Sequence, residues 1–134
     1  MSLTKKVAVE TVTRMKALLS TPDAWTKSAA ARDGAGAMVA PTEPEAVCFC
    51  LYGALRRVAH ADPILFQNRS EIDEFLERVF AKHTEKLTGT NPAEIIRTIN
   101  SFPGYVRFND SESTSFEKIQ EFLDEALKEA SALG

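Results

Sequence analysis

Apolar residues recur at helical spacing along nearly the whole chain. Ala8, Val12, Met15 and Leu19 follow the rhythm of one helix face. Thr21-Pro22 then supplies a cap and a pre-set first turn, enough for one short helical turn ending near Trp25. Residues 26–42 carry glycine and proline punctuators among many alanines, which predicts an irregular loop holding a small hairpin. Pro44 opens the next predicted helix. Its stretch Val47–Leu55 is apolar around most of the circumference, as a helix surrounded by others requires, and charge returns only at Arg56-Arg57. Gly53 inside such a helix costs about 1 kcal/mol in propensity, which points to the close approach of a neighbouring backbone.

Pro63 and Ile64-Leu65-Phe66 form a connector. Ser70 is placed to cap a third helix, with Asp73 three residues on, and Ile72, Phe75, Leu76, Val79, Phe80 and His83 mark one face of it. Asn91-Pro92 starts a fourth, shorter helix carrying Ile95, Ile96 and Ile99. Pro103-Gly104 breaks it, and Tyr105–Phe108 has the residue types of a short strand. Thr114 with Glu117 reads as a capping box for the last helix, whose face is Phe116, Ile119, Leu123, Ala126, Leu127 and Ala130. The expected fold is mainly α: a compact single-domain bundle of about five helices over residues 1–134. A short β-hairpin or strand pair is expected around 29–40 and 104–108.

Composition narrows the class. The chain has 134 residues, 44% of them apolar and 26% charged, ordinary proportions for a globular protein. A net charge of −3 offers no general basic field for nucleic acid. No apolar run approaches the ~18 residues that span a bilayer, and no signal peptide is visible, so a cytoplasmic, non-membrane protein is expected. Charge is uneven: Lys5, Lys6, Arg14 and Lys16 face only Glu10 near the start, while residues 109–134 are strongly acidic. The two ends could attract each other, within one chain or across a homodimer.

Candidate chemistry is sparse. Gly34 and Gly36 form a G-x-G pair, but no strand precedes them, Val39 stands where a dinucleotide fingerprint has its third glycine, and no G-K-[ST] follows. These glycines are read as turn formers. Cys48 and Cys50 suit neither a disulfide framework nor a zinc knuckle; on a helix their side chains would lie about 200° apart. Reduced thiols are expected, with no metal and no cofactor. His83, on the apolar face of its helix, is read as a core-edge histidine, and no catalytic residue is assigned. Asn109-Asp110 reads as a turn or cap, or as a polar patch formed with Arg32 and Asp33 if the two loops meet.

Trp25, the Ala31–Gly36 turn, "CLYGALRRVA" at 50–59, "FND" at 108–110 and "STSFEKIQEFLDEAL" at 113–127 together resemble a family of small bacterial and phage proteins. That family's pattern is a tryptophan, a short loop with Asp and Gly, Cys-x-x-Gly-Ala-Leu on a helix, Trp-Asn-Asp, and an acidic helix led by Arg-Thr. It falls here on Trp25, Asp33, Gly36, Cys50, Gly53, Ala54, Leu55, Asn109, Asp110 and Thr114, and departs at Phe108. About half the chain is covered. The resemblance implies kinship with bacterial or phage accessory proteins and no particular activity. Two functional readings follow. The first is a non-catalytic accessory protein that binds a protein partner or itself. The second is a small-ligand-binding or hydrolytic domain with a polar site at Trp25, Arg32, Asp33, Tyr52, Arg56, Asn109 and Asp110.

Overall fold

A computed structural model of the protein describes residues 3–89 and 103–134. Helix α1 (Lys5–Leu18) starts where the Thr4 hydroxyl accepts the Val7 N–H at 3.3 Å. A 3-10 turn (Pro22–Ala24) follows. Strands β1 (Ala31–Arg32) and β2 (Cys48–Phe49) then pair antiparallel, with Ala31 opposite Phe49 and Arg32 opposite Cys48. Helices α2 (Leu51–His60), α3 (Pro63–Gln67), α4 (Arg69–Thr88), α5 (Gly104–Asp110) and α6 (Phe116–Ser131) complete the described chain. The fold is mainly helical, with one small strand pair. The helix expected at 91–99 lies outside the described residues.

The predicted stripe on α1 is the inner face: Ala8, Val12, Met15 and Leu19 are all fully buried. They pack against α6, which buries Ile119, Leu123, Ala126 and Ala130. The basic start and acidic end of the chain therefore meet within one molecule, and Lys16 pairs there with Asp124. The other side of α6 meets α4, whose Ile72, Phe75, Leu76, Val79 and Phe80 are buried. Phe122, absent from the predicted face, is fully buried. It joins a ring cluster with Phe80, Tyr105 and Phe108, at centroid distances of 6.4, 6.2 and 6.0 Å. Such pairs contribute about 0.5–1.5 kcal/mol each beyond area burial.

His83 sits on the α4–α6 seam with both ring nitrogens on carboxylates: Nδ1 is 2.9 Å from Glu125 and Nε2 is 3.1 Å from Glu129. The ammonium of Lys82, 2.8 Å from Glu129, and then His83 hold the Glu129 carboxyl below its usual range. A depressed carboxylate contributes stability that is present above its unfolded-state value, 4.5, and is lost as pH falls through its lower folded value. The urea midpoint of Glu129→Gln should therefore fall below that of wild type at pH 7, and the gap should narrow as pH falls below 4.5 and through the lower folded-state value. A gap that stays constant with pH would show that the carboxylate's charge is not what holds this seam.

Three local expectations are corrected. The helix placed at Pro44 begins only at Leu51, because Val47 and Cys50 donate their N–H groups to the Arg32 and Ala30 carbonyls at 2.9 and 3.2 Å. Residues 44–45 lie in a turn, and the ladder holds Cys48–Phe49 extended as β2. The strand expected at Tyr105–Phe108 is helix α5. Its buried residues Gly104, Tyr105, Phe108 and Asn109 have helical spacing, and Glu77 of α4 accepts the Gly104 and Tyr105 N–H groups at 2.7 and 3.0 Å. Caps also move. Ser115 rather than Thr114 caps α6, accepting the Lys118 N–H at 3.3 Å, and Ser70 lies inside the first turn of α4.

Candidate functional site

Two places gather the polar residues that the sequence singles out. The first is a clamp at the end of α5. Asn109 is fully buried there, and its amide fills every hydrogen-bonding position. The Oδ1 accepts from the Trp25 indole N–H at 2.8 Å and from the Leu51 N–H at 3.0 Å. The Nδ2 donates to the Thr26 carbonyl at 3.1 Å and to Asp110 Oδ1 at 3.0 Å. Asp110 in turn accepts the Ser28 N–H at 2.8 Å, and Lys27 Nζ donates to the Ser111 carbonyl at 2.6 Å. Ser28 has a φ of 63°, in the left-handed region where a serine stays only if its surroundings hold it. Residues 25–28 are thus laced bond by bond to residues 109–111.

The clamp also completes the start of α2. Leu51 contributes one of the orphan N–H groups of the first turn, and Asn109 receives it. The Cys50 sulfur receives another, from Gly53 at 3.3 Å. Burial pushes the Cys50 thiol up, and nearby Asp110 adds to that, against the backbone N–H groups of Gly53 and Tyr52. Cys50 is a neutral capping thiol rather than an activated nucleophile. Cys48, two residues earlier on β2, points to the Arg32 carbonyl instead, so the two cysteines do not share a helix as expected.

The loop that meets Asn109-Asp110 is Trp25–Ser28, one loop earlier than the Arg32–Gly36 turn expected to pack there. Arg32 reaches the same loop from its other side, through Thr26 Oγ1 at 3.1 Å and the Lys27 carbonyl at 3.2 Å. Asp33 accepts the Ala35 and Ala37 N–H groups, both at 2.9 Å, and closes its own turn. Of the seven candidates, Trp25, Asn109 and Asp110 come together; Arg32 supports them; Asp33 stands apart.

Tyr52 and Arg56 belong to the second place, a cleft of about 600 Å³ between α2 and α4. One wall is the α2 face Tyr52, Leu55, Arg56, Ala59 and His60; the other is the α4 face Arg69, Ser70, Asp73 and Glu74, with Phe66 of α3 at the end. The Arg56 guanidinium lies over the Tyr52 ring at 5.7 Å, and that of Arg69 over Phe66 at 3.9 Å. Asp73 receives the phenolic hydroxyl of buried Tyr105, whose ionisation burial and Asp73 push far above the usual range. Among the described residues, Arg56, Arg69, Asp73 and Glu74 make no ion pair within 4 Å. Arg69, Asp73 and Glu74 escape sequence reasoning. Their one signal is the spacing of 69, 70, 73 and 74 on a single face, whose partner face becomes apparent only once α3 has set the path of the chain.

Also among the described residues, no three His, Cys, Asp or Glu side chains gather as metal ligands would, and no helix is long and apolar enough to cross a membrane. Fold and site together define a small, mainly helical protein with an internally bonded polar clamp and an open charged cleft. Residues 4–129 match the family of unknown function DUF6197, and the chain belongs to that family. No curated protein and no solved structure matches it.

Proposed function

We propose that this chain is a non-catalytic binding protein whose ligand site is the cleft between α2 and α4. The observation that carries the reading is the contrast between the two polar places. The clamp's groups bond to one another, whereas the cleft holds two arginines and two carboxylates with no ion-pair partner among the described residues. Arg56, Arg69 and Glu74 are exposed around the concavity, and charges kept there without an ion-pair partner are characteristic of binding sites. The cleft's volume is within the usual range for small-ligand sites, about 300–1,000 Å³.

Arg56→Ala and Arg69→Ala should therefore leave the melting midpoint unchanged or slightly raised, within about ±0.5 kcal/mol of stability. A loss above about 1 kcal/mol in both variants would make the arginines structural and overturn the reading.

A second reading, self-association as an accessory protein, draws on Ile64 and Phe66 of α3, exposed by 61% and 48%. Sedimentation at rising concentration separates the two, since a monomer throughout would exclude self-association. Free thiols at Cys48 and Cys50 support a cytoplasmic setting, and the net charge of −3 supports a partner other than nucleic acid. The resemblance to small bacterial and phage proteins supports an origin of that kind.

A further inference from the structure

We infer that the α2–α4 cleft takes a small zwitterion, a molecule carrying both a carboxylate and an ammonium group, as free amino acids do; the inference rests on the cleft's being the binding site. The cleft's formal charges balance, with Arg56 and Arg69 against Asp73 and Glu74. A pure anion would leave two carboxylates beside it uncompensated, and a pure cation would do the same to two arginines. A ligand bearing both charges answers both sets.

The charges are also ordered along the cleft. Arg69 opens α4 beside Phe66, and Asp73 and Glu74 follow one helical turn later, about 6 Å further along the axis. Arg56 flanks them from α2. Each guanidinium is set against an aromatic ring, Tyr52 for Arg56 and Phe66 for Arg69; Arg69 also donates one N–H to the Phe66 carbonyl at 2.7 Å, which fixes its plane and leaves further donors for a carboxylate. Asp73 is oriented by the Tyr105 hydroxyl at its Oδ1. The apolar floor of Leu55 and Ala59 lies beneath the charges and lowers the competition from water.

The test is a titration of the full-length protein followed by amide NMR shifts, with four probes: leucine, N-acetyl-leucine, leucinamide and inorganic phosphate. Leucine should shift resonances of residues 52–60 and 69–74. N-acetyl-leucine, which keeps only the anion, and leucinamide, which keeps only the cation, should each bind about tenfold or more weakly. Arg56→Ala and Glu74→Gln, both exposed and outside the core, should each weaken leucine by a similar factor. Phosphate or N-acetyl-leucine binding as well as leucine would make this an anion site and overturn the zwitterion while leaving the binding cleft intact. Equal binding of leucinamide would make it a cation site, with the same consequence. Absence of shifts at the cleft with all four probes overturns the inference as well. The broader reading of the cleft is judged separately, by the melting of the arginine variants.

Discussion

Gly53→Ala should lower the stability of the protein by more than about 3 kcal/mol, because the smallest possible side chain has nowhere to go. A Cβ at Gly53 would lie 1.8 Å from the Ala30 carbonyl oxygen and 2.7 Å from its carbon. Neither atom belongs to a flexible side chain that could swing aside. The same carbonyl accepts the Cys50 N–H at 3.2 Å, beside the β1–β2 ladder. Relief of the clash would therefore displace the strand pair and the start of α2 together. Overpacking by one methyl commonly costs about 1–3 kcal/mol, and a backbone obstacle places this case above that range. Gly34 provides the control: nothing lies within 4 Å of a Cβ there, and Gly34→Ala should change stability by no more than about 0.5 kcal/mol. Urea midpoints that coincide for wild type and Gly53→Ala would show that the backbone approach at Ala30 is wrong.

Asn109→Ala should cost about 3–5 kcal/mol, a magnitude that single substitutions reach only by a few mechanisms, of which breaking a buried polar network is one. Removing the amide strands the Trp25 indole N–H, the Leu51 N–H and the Thr26 carbonyl at once. Each unsatisfied buried group costs about 1–3 kcal/mol, and water entering the space left by the amide would offset part of the sum. The measurement is again the urea midpoint, read by circular dichroism so that the signal does not depend on Trp25. A variant as stable as wild type would show that the clamp is not what holds the two loops. Asn109 and Asp110 would then return as ligand-contacting residues.

Much of the fold was legible because periodicity reports burial directly. The inner faces of α1 and α4 follow from spacing alone, and so does most of α6. Phe122 lies outside the single stripe that spacing marks on α6, because the helix is buried on two sides, against α1 and α4, and carries a wider apolar arc. Residues 44–50 misled for a related reason. An unbroken apolar run serves a buried helix and a buried strand equally well, and the choice depended on a ladder with Ala30–Arg32 that has no local signature. At α5 a four-residue window was too short to separate a strand from one helical turn. The N-terminus of α5 is also satisfied by Glu77, a residue from another helix.

The site was half legible. Trp25, Asn109 and Asp110 were recognisable as residues with a special role, since short polar side chains at helix ends seek backbone partners. Their assignment to one another was not, because Trp25–Ser28 and the Arg32–Gly36 turn have similar loop chemistry and only the path of the chain decides which of them reaches α5. Arg56 looks across to α4, whereas Tyr52 stands between the two places: it lines the α2–α4 cleft and also a second cavity bordered by Ser28, Cys50 and Asp110.

The indole–amide bond between Trp25 and Asn109 has a kinetic consequence. It joins residues 84 positions apart, and Trp25 is the chain's single tryptophan. Bringing such distant segments together carries a loop-closure entropy that must be met before the contact returns any stabilisation. Local helices can form within about a microsecond, whereas a contact of this separation belongs with the slower, topology-limited events. Tryptophan emission therefore clocks the meeting of the two halves of the chain, while far-ultraviolet circular dichroism follows helix formation. In stopped-flow refolding the two signals place the zipping of the clamp on the same time axis as the rest of the fold.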